Sequence, residues 1–145
     1  MSTLNYVVGI DGSEWSERAA VRAVNLAKAT NAEVKLVYVL DYSTLRPLTV
    51  EAIVPPTLNQ EEAERDANQQ TLEPLINRFA DSGVVITSEC IWGEPVATLH
   101  EQVKELNANM LFLGRRGRSA LVDLLLGSVA NKLAHYTGVP IVLVP

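Results

Sequence analysis

A chain of 145 residues, 48% of them hydrophobic, is long enough for one domain with a substantial core and too apolar to stay disordered. A formal net charge of −5 offers no basic footprint for general nucleic-acid binding, and a single cysteine, Cys90, excludes an intrachain disulfide and a cysteine-based metal site. No apolar run approaches the roughly 20 residues needed to span a bilayer. The opening Met1–Asn5 lacks the charged-then-apolar layout of a signal peptide, so the expectation is a cytoplasmic protein without direct membrane insertion.

Tyr6-Val-Val-Gly-Ile10 is a short apolar run of the kind buried on both faces of a parallel sheet. Asp11-Gly12-Ser13 ends it. Ser13 or Ser16 suits the cap of a following helix, with Glu14 and Glu17 in its first turn. Ala20, Ala23, Val24 and Ala27 form a small-residue stripe that lets this helix lie close to a sheet, and Asn31 suits its C-terminal end. Val34–Leu40 reads as a second strand, followed by Asp41 and a long connection over 41–58 containing Pro47, Pro55 and Pro56.

Residues 59–80 read as a helix with Leu72, Leu75, Ile76 and Phe79 on its apolar face; Pro74 inside that pattern predicts a kink or break near Leu72–Glu73. Val84–Ile91 is the third strand. Pro95 opens the next helix, whose stripe is Val96, Leu99, Val103 and Leu106. Met110–Leu113 is the fourth strand. Ser128 is a natural cap for a helix running to about Tyr136, and Ile141–Val144 is the fifth strand.

Strands alternating with helices predict an α/β protein, a doubly wound parallel sheet with helices on both faces, over 1–145 as a single domain. Ligands of such folds bind beyond the carboxyl ends of the strands, where strand order switches. Asp11, the Val39–Asp41 region and Gly114 all fall at such ends. After the fourth strand comes Gly114-Arg-Arg-Gly117, then nine residues, then Gly127-Ser128. Glycine lets backbone N–H groups approach a phosphate closely, and a helix start presents unpaired donors and a positive dipole. A strand, a glycine turn and a helix N-terminus in that order form a nucleotide cradle. No Gly-Lys-Ser/Thr is present, so this is not a phosphate loop dependent on lysine, and the dinucleotide fingerprint is absent too.

These segments resemble the universal stress protein family. The matching parts are Val7–Ser13, Val39–Asp41, Leu113–Ser119 through Leu126–Asn131, and Val139–Val144, so the resemblance covers essentially the whole chain. Gly114, Gly117, Gly127 and Ser128 have the spacing of the family's ATP-binding branch, which implies strand order 3-2-1-4-5, ATP with Mg²⁺ or Mn²⁺ on its phosphates, and a homodimer through the last strand. The resemblance places Asp11 near the ribose or, indirectly, a phosphate-bound metal ion. Ile10 and Val39 would pack on or beside adenine, with the Val39 backbone reading its edge. Gly114 and Gly117 would approach the ribose and first phosphates, and Gly127, Ser128, Val129 and Ala130 would bind phosphates. Arg115 stands where many relatives have a small residue. Of the cluster Arg115, Arg116 and Arg118, Arg116 is the expected phosphate contact.

An ATP-binding regulatory module whose nucleotide state is read by a partner, such as a kinase or membrane transporter, is the leading expectation. A slow ATPase or self-phosphorylating enzyme with Ser119 or Ser128 as acceptor, and an AMP- or flavin-binding protein, are the alternatives. Asp11 also fits a simple helix cap. His100 and His135 read as surface histidines, Trp15 and Trp92 as packing or rim residues, and Cys90 as an inert core thiol. The apolar strand Ile141–Val144 would be a sheet edge, which invites pairing with a second copy.

Overall fold

The computed structural model describes residues 3–41, 56–117 and 127–145. The expectations concerning Pro47, Pro55, Arg118 and Ser119 lie outside them. Among the described residues the order is β1 (Asn5–Ile10), α1 (Glu14–Thr30), β2 (Glu33–Leu40), α2 (Pro56–Ala67), a π-helical turn (Asn68–Leu72), α3 (Glu73–Arg78), β3 (Ile86–Trp92), α4 (Pro95–Glu105), β4 (Met110–Gly114), α5 (Ser128–Tyr136) and β5 (Ile141–Val144). The strands pair in parallel in the order β3-β2-β1-β4-β5, as expected.

The period-two geometry of a strand sorts the apolar runs onto two faces. Tyr6, Val8, Leu36 and Tyr38 face α1 and the α2–α3 segment, whereas Val7, Val37, Leu111 and Leu113 face α4 and α5. Both faces are covered, which is why the strands read as continuous rather than alternating hydrophobic runs. On the first face, the buried Ala19, Ala20, Ala23 and Ala27 bring α1 close against the sheet. Ser13 caps α1 by accepting the Ser16 amide at 3.2 Å, and Asn31 ends it in the left-handed region at φ 58°. Pro95 begins α4 as expected, and the Glu94 carboxylate accepts the amides of Val96 and Ala97.

Three local features differ from the sequence reading. The second helical region starts at Pro56, within the expected connection, and ends at Arg78. The expected kink or break near Leu72–Glu73 is a widened turn: the Glu73 amide donates to the Asn68 carbonyl, five residues back, and the chain stays helical. Pro74 explains this, because its ring would meet the carbonyl four residues earlier in a regular α-helix, and a wider turn before it makes room. β3 starts at Ile86 rather than Val84; Val85 instead uses its carbonyl to accept the Val34 amide at 3.0 Å.

A fourth difference bears on function. Gly127, not Ser128, is the N-cap of α5. Its extended backbone (φ −65°, ψ 156°) and its carbonyl, which accepts the Asn131 amide at 2.9 Å, put Ser128 inside the helix. Among the described residues no side chain caps this helix, which leaves its first amides as donors for a ligand.

Candidate nucleotide site

Strand order reverses at β1, from which the chain crosses to β2 on one side while β4 lies on the other. A crevice opens there, beyond the carboxyl ends of the strands. It encloses a cavity of about 380 Å³. The residues that the resemblance assigned to the nucleotide, with Arg116, all line it. Ile10 and Asp11 come from the end of β1, and Val39 from β2. Gly114, Arg116 and Gly117 come from the end of β4; Gly127, Ser128, Val129 and Ala130 come from the cap and first turn of α5.

Asp11 is held through its own backbone. Its amide donates to Ser16 Oγ at 3.3 Å, its carbonyl accepts the Tyr38 hydroxyl at 3.4 Å, and Oδ1 accepts the Ser13 amide at 3.0 Å. The next residue must turn with φ +84°, a conformation that favours glycine, and Gly12 supplies it. Asp11 is therefore not the helix cap, which is Ser13. Its other carboxylate oxygen reaches across to the glycine turn: a Cβ placed on Gly117 would stand 2.8 Å from Oδ2. The two ends of the motif are stitched together by Arg115, whose carbonyl accepts the Gly127 amide at 2.6 Å while its own amide donates to the Val144 carbonyl at 2.7 Å.

The glycines divide by role. A Cβ on Gly114 would lie 2.7 Å from Trp15 Cβ and 2.8 Å from the Trp15 carbonyl carbon, so this glycine lets the first turn of α1 pack against the end of β4. A valine at 114 would therefore press on the first turn of α1. Among the described residues a Cβ on Gly127 meets nothing closer than 3.4 Å, an ordinary contact. The arginines divide as well. Arg115 is exposed, whereas Arg116 lines the cavity and its Nε is buried without a hydrogen-bond partner among the described residues.

The opposite wall is apolar and comes from Val37 and Val39 on β2, Pro95 and Leu99 on α4, and Leu113 on β4. Sequence reasoning treated Leu99 as core and missed its second role, because one apolar stripe serves both the sheet contact and the cavity wall. The backbone of β2 adds polarity to this wall. The Leu40 carbonyl accepts the Gly93 amide at 2.9 Å, on the β3 side. Successive carbonyls of a strand point to opposite sides. That of Val39 therefore points toward β1, whose pairing has already stopped at Ile10 opposite Tyr38.

The sequence model of the Universal stress protein family matches residues 5–145. The chain belongs to the universal stress protein family. Among relatives of this stress protein, Universal stress protein MJ0531 of Methanocaldococcus jannaschii is 30% identical over 141 residues, covering 95% of this chain and 79% of the relative. The solved structure of hypothetical protein MJ0577 superposes with a TM-score of 0.85 at 19% identity, covering 99% of this chain and 96% of that one, and shares the fold. A universal stress protein solved in complex with cAMP gives a TM-score of 0.70 at 26% identity, covering 100% and 98%.

The histidines, tryptophans and cysteine of this universal stress protein stand outside the cavity. His100, on α4, packs its ring 4.6 Å from that of Tyr136, and His135 is exposed on α5. The Trp92 indole N–H donates to Glu64, and Trp15 packs on Gly114. Burial, with smaller contributions from Glu64 and Glu89, pushes the half-buried Cys90 thiol up to about 11, which keeps it protonated and unreactive at neutral pH. Among the described residues no three His, Cys, Asp or Glu side chains cluster as metal ligands, and no helix is long and apolar enough to cross a membrane.

Proposed function

We propose that this stress protein binds ATP in the crevice and acts as a regulatory module whose nucleotide state a partner reads. The observation that carries the reading is the meeting of two anion-seeking features on one cavity: the first turn of α5, uncapped among the described residues, and the buried Nε of Arg116, which has no partner among them. Helix N-termini favour negative charge, and a guanidinium donates well to phosphate. The phosphates then lie over Gly117 and the amides of Ser128, Val129 and Ala130, and the base lies against Val37, Val39 and Leu99. The related protein solved with cAMP supports an adenine nucleotide.

Asp11 borders the phosphate end, so a triphosphate there needs a cation to limit repulsion. With no ready-made cluster of ligands among the described residues, Mg²⁺ or Mn²⁺ arrives with the phosphates and Asp11 assists from the side. β5 is an edge of the sheet, and Ile141, Val142 and Leu143 on it are only partly buried. Pairing of this strand with a second copy would remove the edge and give a homodimer. Light scattering of the purified protein reads this directly: twice the chain mass is expected, and the chain mass alone would contradict it.

Calorimetric titration with Mg²⁺ and ATP, alongside melting curves, tests the binding claim. Saturable heat and a melting temperature that rises with ATP concentration are expected. Neither signal at millimolar ATP would refute it.

A further inference from the structure

We infer that Ser16 is a positioning residue of the nucleotide site: its hydroxyl ties the first turn of α1 to the Asp11 amide and so sets where the Asp11 carboxylate stands beside the phosphates. The inference rests on the nucleotide reading above and deepens it. Ser13 caps α1, so Ser16 is not needed for that purpose, yet it is 3% exposed and lines the cavity. A serine inside a helix commonly bonds back to a carbonyl of the preceding turn. Ser16 does so, its Oγ donating to the Ser13 carbonyl at 2.9 Å. A hydroxyl whose proton is directed there still has lone pairs to offer, and this one accepts the Asp11 amide at 3.3 Å. Asp11 lies outside the helix, five residues back and directly after the last residue of β1, so this bond adds nothing to the ladder of α1.

The bond completes a set. The Asp11 carbonyl accepts the Tyr38 hydroxyl at 3.4 Å, and Oδ1 accepts the Ser13 amide at 3.0 Å. With Ser16 on the amide, both peptide groups of Asp11 and one carboxylate oxygen are held, each by a different residue. Oδ2 then stands 2.8 Å from the place a Cβ on Gly117 would take. Gly117 lines the same end of the cavity as Ser128, Val129 and Ala130. Binding groups must be held within about 0.5 Å of their productive geometry, and supporting hydrogen bonds do this. Ser16 supplies that support from a helix packed on the sheet, and it acts on the ligand through Asp11.

A double-mutant cycle tests it, read by calorimetric titration of the full chain with Mg²⁺ and ATP. Four proteins are used: the unaltered chain, Ser16→Ala, Asp11→Ala and the double variant. Ser16→Ala should weaken ATP binding by about three- to tenfold when Asp11 is present. The same change should cost less than about twofold once Asp11 is alanine, because the group that Ser16 positions is gone. A general loosening of α1, or a direct contact from Ser16 to the ligand, would weaken binding equally in both backgrounds. Alanine is the better helix former, so Ser16→Ala should keep α1 intact. If it does not fold, Ser16→Cys replaces it in both backgrounds, since sulfur is a weak acceptor of similar size. Equal losses in the two backgrounds, or no loss in either, overturn the inference and leave the nucleotide site standing. So does an ATP affinity that Asp11→Ala leaves unchanged. Failure of the unaltered chain to bind ATP refutes the nucleotide site itself, and this inference with it.

Discussion

The two walls of the cavity are made of different material. The β4–α5 wall is backbone: Gly114, Gly117 and Gly127 with the first amides of α5, plus one arginine. The β2–α4 wall is side chain: Val37, Val39, Pro95 and Leu99, which also belong to or flank the hydrophobic layer beneath α4. A backbone wall can grip an anion with little cost to the core. A wall shared with the core cannot be altered without disturbing the fold. Substitutions on the two walls should therefore separate binding from stability.

The largest stability effect is expected on the shared wall. Leu99 is 3% exposed, and Leu99→Ala should cost about 2–5 kcal/mol of stability by chemical denaturation, with weakened nucleotide binding as a consequence. A loss of binding with no loss of stability would show that this wall is not shared. On the backbone wall, Arg116→Met should reverse the pattern. Affinity for ATP should fall by a factor worth about 1.5–3 kcal/mol, while the denaturation midpoint without nucleotide holds or rises, since the variant removes a buried N–H that has no partner among the described residues. Equal ATP affinity in the variant would exclude Arg116 from the phosphate contact.

Gly114 and Gly127 sharpen the contrast within one motif. Gly114→Val should destabilise by about 1–3 kcal/mol, because the new side chain meets the backbone of Trp15. Gly127→Ala meets only ordinary contacts among the described residues, and its melting temperature should change less than that of Gly114→Val. The reverse order in melting temperature would contradict the packing described at Trp15.

The backbone wall was legible in the sequence because glycine spacing leaves a visible mark, and the positions of Gly114, Gly117, Gly127 and Ser128 could be read before any coordinates. The apolar strands and the alanine stripe of α1 gave the doubly wound parallel sheet and the close helix in the same way, whereas the strand order came from the resemblance to the family. The side-chain wall was not legible, since a leucine that lines a cavity and one that fills a core look alike in a helical stripe. Nor could spacing reveal that Gly114 is needed for the approach of Trp15 rather than of a ligand. The widened turn before Pro74 was foreseen only as a disturbance, because proline announces the clash and not its remedy. Ser128 was mistaken for the cap because serine is favoured there, whereas the Gly127 carbonyl takes the first helical bond.

The smallest predicted effect lies on β3, at a residue that does not line the cavity. Cys90 titrates at about 11 in the fold against an ordinary 9.0, chiefly because burial disfavours the thiolate. The unfolded chain thus loses its thiol proton first, and stability attributable to this group is present below pH 9 and lost as pH rises from about 9 toward 11. In Cys90→Ala the alkaline decline of the melting temperature should be shallower over that window. An identical decline would show that Cys90 does not contribute.

The central claim is that phosphates sit on the uncapped start of α5. Backbone amide NMR of the ¹⁵N-labelled protein, recorded during titration with Mg²⁺ and ATP, tests it most directly. The largest shifts should fall on Gly117, Gly127, Ser128, Val129 and Ala130, with smaller ones at Ile10, Asp11 and Val39. Shifts concentrated instead at the opposite end of the sheet, around Asn31, Glu33 and Val84, would place the ligand elsewhere and contradict the account.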